Sequence, residues 1–180
     1  MFKWINGIKY VNNRAVEADR EITEAYIQPG TKIIGRRAFR SCTELTSVIL
    51  PDGLVSIEDE AFYDCIGLKS LKLPAGVLRI GSSAFAGCVR LVSLDIPDSV
   101  AEIGRTAFGG CRSLTSLTLP AGLKNIGDMV FCGCMDLQKV TLPFPPRGGG
   151  GSFAGFADLK LLDSEPKDFG FELLRQAMCA

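Results

Sequence analysis

The sequence predicts a repeat solenoid of α/β class leaning to β, and three observations predict it. A cysteine recurs every 23 residues, at Cys42, Cys65, Cys88, Cys111 and Cys134. Each follows a phenylalanine by three places (Phe39, Phe62, Phe85, Phe108, Phe131) and an isoleucine by eight (Ile34, Ile57, Ile80, Ile103, Ile126). Charges at the same offset are opposite in sign: Arg36 with Asp59, Arg37 with Glu60, Lys72 with Asp95, Arg79 with Glu102, Arg105 with Asp128. A fixed period of this length makes each repeat one rung of a stack. Strands one rung apart lie about 4.7–4.9 Å from each other, so identical residues fall on identical residues. Leu, Ile, Phe and Cys tolerate that inside a core, whereas like charges would repel and opposite charges gain roughly 0.2–1 kcal/mol.

The first element lies outside the repeat. Residues 1–21 contain two alternating runs, FKWI and IKYV, around Asn6-Gly7, a strong signal for a two-residue hairpin turn. The terminal rung of a solenoid exposes core and strand edge, so this hairpin is expected to cap it. Trp4 and Tyr10 could instead form a ligand platform, but capping is the preferred reading.

Residues 22–163 form the stack. Units run Leu45–Gly67, Leu68–Arg90, Leu91–Ser113 and Leu114–Asp136, with an earlier unit at Ile22–Glu44 and a drifting one from Leu137. Each opens L-x-x-[LV]-x-[LI]-P, whose alternation predicts a strand with one buried face. The proline, which has no N–H, stops the ladder, and Pro-Asp-Gly or Pro-Ala-Gly turns the chain. A short extended return, V/L-x-x-I, follows. The G-x-x-A-F-x-x-C stretch is too short for a normal helix and is read as a tight turn of 3₁₀ character. In the last unit Phe153, Phe156 and Leu159 follow Phe131, Cys134 and Leu137 at 22 residues, and Leu159 and Leu162 open a last strand.

Beyond the stack, residues 164–180 are expected to close the C-terminal end. Residues 166–178 read as an amphipathic helix with Phe169, Leu173 and Ala177 on one face, and a partner-binding role is the second reading. The run Gly148–Gly151 could cradle an anion, but no Lys-Ser/Thr follows it, so a loop is preferred.

The cysteines admit three readings. In a disulfide framework, stacked neighbours would have their Cβ vectors parallel and five would leave one unpaired. A metal site is opposed by Cys132-x-Cys134, which lacks the usual spacing and a second pair. A column of buried thiols filling the core is preferred. Cys132 aligns with Arg40, Tyr63, Ala86 and Gly109 and is expected to face solvent, and Cys179 lies next to the C-terminus. A thiol reagent should therefore label Cys132 and Cys179 first.

Composition excludes several function classes. The chain has no histidine, which removes Ser-His-Asp and Cys-His nucleophiles and most catalytic zinc sites. Twenty basic residues balance twenty acidic ones, so no basic field recommends nucleic acid or an anionic membrane. No apolar run approaches a membrane span, and the first residues lack a secretory signal. The acidic residues Asp52, Glu58, Asp59, Glu60, Asp64, Asp95 and Asp98 are scattered over different faces rather than paired across a cleft. The expectation is no enzyme, no cofactor and no metal.

The unit L-x-x-[LV]-x-[LI]-P-x-x-V-x-x-I-G-x-x-A-F-x-x-C resembles the BspA-type bacterial leucine-rich repeat over residues 22–142, and more loosely to 163. Departures are Gln28 for proline, Glu58 for glycine, Val130 for alanine and Phe156 for cysteine. The resemblance implies a right-handed parallel solenoid with its main sheet on a concave side. It implies a bacterial surface or secreted protein, sometimes an adhesin for host matrix proteins or other cells; a cytoplasmic protein is expected if Met1 is the true start. It carries no catalytic motif.

On that concave face the outward positions form two columns. One is mainly serine: Ser47, Ser70, Ser93 and Ser116, with Glu24 and Lys139 at its ends. The other is Tyr26, Ile49, Lys72, Asp95, Thr118 and Thr141. A protein partner is expected along the second column, centred on Tyr26, Ile49 and Lys72, because aromatic anchors dominate many interfaces. The protein is expected to be a monomeric interaction module; the alternative is a structural spacer with no ligand of its own.

Overall fold

One 23-residue period closes one turn of a β-solenoid. The structure, a computed structural model, describes residues 2–142, 147–148 and 159–161. Three strands come first: β1 (Phe2–Ile5), β2 (Ile8–Val11) and β3 (Arg14–Ala18). Two short strands per turn follow: β4 (Glu24–Tyr26), β5 (Ile33–Ile34), β6 (Ser47–Ile49), β7 (Ser56–Ile57), β8 (Ser70–Lys72), β9 (Arg79–Ile80), β10 (Ser93–Asp95), β11 (Glu102–Ile103), β12 (Ser116–Thr118), β13 (Asn125–Ile126), β14 (Lys139–Leu142), β15 (Arg147–Gly148) and β16 (Leu159–Leu161).

The two-residue strands ending in isoleucine build one continuous parallel ladder, β5-β7-β9-β11-β13-β15. The antiparallel strands β3, β2 and β1 extend it to nine strands. The longer strands, of three residues and in β14 four, were expected to carry the main sheet and instead form three separate parallel ladders: β4 with β6, β8 with β10, and β12 with β14 and β16. Rungs remain neighbours across the two breaks, but no ladder joins β6 to β8 or β10 to β12.

The offset of 23 holds strand by strand, as in Ile57 beside Ile80 and Leu71 beside Leu94. It shortens at the C-terminal end. Gly148 stands beside Ile126, an offset of 22, and Leu159 stands beside Val140, an offset of 19. Leu159 thus opens a last strand as expected, but three residues out of the expected alignment with Leu137.

The core is a set of columns. Phe39, Phe62, Phe85, Phe108 and Phe131 are buried and stack nearly parallel, with centroids 5.0, 5.3, 5.7 and 5.8 Å apart. Beside them run the five cysteines, the isoleucines and the leucines that open each unit. The Ile-Gly pair has a steric cause. A Cβ on Gly104 or Gly127 would come within 2.4 Å of a backbone nitrogen one rung back, closer than any real contact.

The Phe–Cys stretch forms tight turns as expected, with 3₁₀-type bonds from alternate amides only. Amides alternate between two targets. Ala61, Tyr63 and Cys65 donate three residues back, to Glu58, Glu60 and Phe62. Glu60, Phe62 and Asp64 donate to the next rung, to Ser82, Ala84 and Ala86. The cause is a left-handed residue at a fixed place in each rung: Arg37, Glu60, Ser83, Thr106 and Met129 all have φ between 49° and 60°. That conformation costs a residue with a Cβ roughly 1–2 kcal/mol. Here it turns the N–H out of the local helix and toward the neighbouring rung.

The hairpin at Asn6-Gly7 forms as expected, with φ of 49° and 74°. Sequence reading missed the third strand, β3, which follows a second turn at Asn12-Asn13, both left-handed. Tyr10 is buried, and its hydroxyl oxygen accepts the Gln28 N–H at 3.2 Å. Trp4 pairs with Lys9 and is exposed, on the opposite face of the hairpin, so Trp4 and Tyr10 do not share one platform. The expected helix at 166–178 and Cys179 lie outside the described residues, as does most of the glycine run.

Candidate interaction face

The second column of expected partner residues takes its positions from the three-residue strands. In each the middle residue points into the core and the flanking two point out, so period-two alternation alone sets which side chains face solvent. Tyr26 lies beside Ile49, Lys72 beside Asp95, and Thr118 beside Thr141. Tyr26 is 54 % and Ile49 55 % exposed, high for such large apolar groups. Lys72, Asp95 and Thr118 are exposed too. Thr141 departs from the expectation: it is 6 % exposed, on a strand flanked by β12 on one side and β16 on the other, and offers no outward contact.

The two breaks in the ladder leave two depressions on this face. Between β6 and β8 one of about 330 Å³ is lined by Val48, Ile49, Leu50, Asp52, Lys72 and Pro74. Between β10 and β12 one of about 190 Å³ is lined by Ser93, Leu94, Asp95, Ile96, Ser116, Leu117 and Thr118. The first is the more apolar and includes Ile49, the strand neighbour of Tyr26. The second is edged by hydroxyls and one carboxylate. Leu50, Pro74 and Ile96 were not expected at a site from the sequence, and Asp52 was named only among the scattered acidic residues, because their part in these depressions depends on where backbone pairing lapses.

The charged rungs pair partly as expected. Arg37 binds Glu60 through two bonds of 2.9 Å, and Arg79 reaches Glu102 at 3.6 Å. Arg36 turns to Glu60 at 3.8 Å rather than to Asp59, which receives Arg79 at 3.5 Å. Arg40 also binds Glu60, and its guanidinium stacks 4.8 Å from the Tyr63 ring. The hydrogen bond from Arg37, with the nearby guanidinium charges, holds the Glu60 carboxyl below its ordinary range. Arg14 binds Glu58, whose carboxylate also accepts the Arg36 N–H at 2.9 Å, so the glutamate that replaces glycine is used to tie two rungs.

The thiol column is structural chemistry. The six described cysteines are free thiols, five buried and Cys132 exposed. Each buried one does more than fill space: Cys65, Cys88, Cys111 and Cys134 donate to the carbonyls of Phe39, Phe62, Phe85 and Phe108 at 3.0–3.2 Å, and Cys42 donates to Asp19 O at 3.6 Å. Burial pushes the Cys42 thiol up to about 11 and the Cys88 thiol to about 12. Nucleophilic thiols have lowered values and electropositive, open surroundings. Among the described residues no group of three or more cysteine or carboxylate side chains is placed to hold a metal ion.

Comparison with known proteins agrees with this geometry. A family described as the BspA type leucine rich repeat region matches residues 32–147 in six copies. A solved structure of a leucine-rich repeat protein of T. pallidum is 38 % identical, with a TM-score of 0.68; the match covers 74 % of this chain and 63 % of that one. A leucine rich cell surface protein of Faecalibacterium prausnitzii is 31 % identical with a TM-score of 0.71, covering 79 % of this chain and 43 % of that one. The chain thus spans less than two thirds of either protein. The pneumococcal vaccine antigen PcpA, at 23 % identity and a TM-score of 0.53, shares the fold. No curated protein matches the sequence.

Proposed function

The chain belongs to the BspA-type leucine-rich repeat family, and from that premise we propose that it is a non-enzymatic protein-interaction module. It binds a protein partner on the outward side of the three-residue strands, centred on Tyr26, Ile49 and Lys72. The carrying observation is the pair Tyr26 and Ile49, side by side on β4 and β6 and each more than half exposed. Large apolar groups held outward on a rigid sheet are what an interface core uses, and aromatic anchors with a pocket beside them dominate binding energy. The depression beyond Ile49 supplies that pocket and ends at Lys72.

Later rungs support a second role. Past Lys72 the column becomes Asp95, Thr118 and the buried Thr141, and the serine column is small and polar. These rungs act as a spacer holding the first two at a distance from whatever follows. The F. prausnitzii relative is described as a cell surface protein, which supports reading this chain as a bacterial surface protein with an adhesin-like role.

The test is capture from extracellular-matrix extract and from bacterial cytosol by the wild-type chain and by Tyr26→Ala and Ile49→Ala. The interaction reading expects a matrix protein held by the wild type and lost from both variants. Equal capture by all three chains would reject Tyr26 and Ile49 as the site, and capture by none would leave only the spacer role.

A further inference from the structure

The three-residue ladder begins at β4, and its outer edge is open. Among the described residues β4 pairs with β6 on one side and with no strand on the other. The Ile27 N–H bonds Ile49 O at 3.0 Å, which fixes the phase of the strand. In extended chain the backbone groups of alternate residues point the same way. Ala25 therefore faces β6, and the N–H and C=O of Glu24 and Tyr26 face away from it. Gln28 is next in that outward series, and its N–H is taken by the Tyr10 hydroxyl. The N-terminal strands thus cover the edge at Gln28. Among the described residues the backbone groups of Glu24 and Tyr26 have no partner, and both side chains are exposed.

We propose that this edge is a strand-addition site that takes an extended peptide carrying a basic and an apolar residue two places apart. An unpaired edge is a template for another chain, with main-chain bonds giving affinity and alternate side chains giving choice. A strand added to β4 sets its outward side chains beside Glu24 and Tyr26. Glu24 forms no ion pair among the described residues, so a lysine or arginine beside it gains an opposite charge on a neighbouring strand. Tyr26, with Ile49 behind it, supplies apolar surface for the other residue. The inward neighbour meets Ala25, the smallest residue of its column, which otherwise holds valine or leucine. Three residues and one charge make the edge short and selective rather than a general aggregation surface. This proposal rests on the reading of the Tyr26–Ile49 face as the docking surface and adds the mode of binding.

The test uses the full chain, a nine-residue threonine-rich peptide in which lysine and valine stand two places apart with alanine between them, and the same peptide with glutamate for lysine. Titration by fluorescence anisotropy is compared for wild type, Glu24→Ala and Glu24→Pro. Both variants lose the carboxylate; only proline also removes the outward N–H, and it leaves the groups that face β6. The lysine peptide is expected to bind the wild type more tightly than the glutamate peptide does. Glu24→Ala is expected to weaken it roughly two- to fivefold and Glu24→Pro at least roughly tenfold. Amide exchange on the wild-type chain needs no variant to fold, and there the peptide should slow exchange at Glu24 and Tyr26. No binding, equal affinity for the two peptides, or unchanged exchange at both amides overturns the proposal. So does dimerisation of the chain through β4 without uptake of peptide. Binding that Ile49→Ala weakens and Glu24→Pro does not overturns strand addition while leaving the interaction face standing.

Discussion

Truncating Phe85 to alanine should cost more than the same change at Phe39, and the difference measures the stack. Both rings are fully buried. Among the described residues Phe85 lies between two rings, at 5.3 Å from Phe62 and 5.7 Å from Phe108, whereas Phe39 has one ring neighbour, Phe62 at 5.0 Å. A buried Phe→Ala change costs about 3–5 kcal/mol. An offset aromatic pair adds about 0.5–1.5 kcal/mol beyond area. Phe85→Ala should thus exceed Phe39→Ala by about one such pair. The position matters as well. In a stack each rung contacts only its neighbours, so a weak middle rung divides the cooperative unit and a weak end rung frays. Urea unfolding should be followed by far-UV circular dichroism, which sees every rung, and by fluorescence of Trp4, which sees the N-terminal end. The two curves should coincide for the wild type and separate for Phe85→Ala. A cost below about 1.5 kcal/mol at Phe85, or equal costs at the two sites, would refute the reasoning.

Other outcomes follow from single contacts. Iodoacetamide at neutral pH, read by mass spectrometry, should modify Cys132 quickly and Cys42, Cys65, Cys88 and Cys111 only on unfolding; fast labelling of the column would contradict its burial. The raised thiols stabilise the fold below the unfolded-state value of 9.0, and that contribution should be lost as pH climbs toward about 11 at Cys42. Alkaline melting curves should therefore fall in that window, and less steeply for Cys42→Ala. Glu60 has the opposite sign: its lowered value stabilises at neutral pH, and the contribution is lost on acidification. Glu60→Gln should lower the melting temperature at neutral pH and leave it unchanged in strong acid; an equal drop at both would exclude charge as the cause. Met129→Gly, at a left-handed φ of 55°, should be neutral or stabilising by up to about 1 kcal/mol. Chemical denaturation decides it, and a loss above that size would mean the side chain packs more than its exposure shows.

Much of the fold was legible because the sequence repeats its own environment. Phe62, Cys65 and Ile57 sit as their columns require, and opposite charges at an offset of 23 fixed the register without reference to the apolar pattern. Asn6-Gly7 announced one turn through its tolerance of positive φ; Asn12-Asn13 announced the next more quietly, and β3 was missed. The tight turns of the Phe–Cys stretch were legible, but their alternate bonds to the next rung were not, because the left-handed places behind them hold Arg37, Glu60, Ser83, Thr106 and Met129 rather than glycine. The exposed pair Tyr26 and Ile49 was legible from alternation alone. The depressions around Leu50 and Ile96 were not, since they arise from where neighbouring backbones stop pairing. Thr141 was misplaced for a similar reason: alternation says which way a side chain points, not what lies over it.

The unequal continuity of the two ladders gives the molecule a spine and an open fore-edge. One side is bound by hydrogen bonds from β1 to β15; the other is bound only within blocks of two or three strands. Bending that widens the breaks strains no ladder, whereas bending the other way stretches a continuous one. Bending that opens the two breaks is therefore expected to meet less resistance than bending the other way, while bonds such as Glu60 N–H to Ser82 O still join the turns through the Phe–Cys stretch. A partner seated at Ile49 and Lys72 would work against the soft direction and open the stack like pages held along one margin.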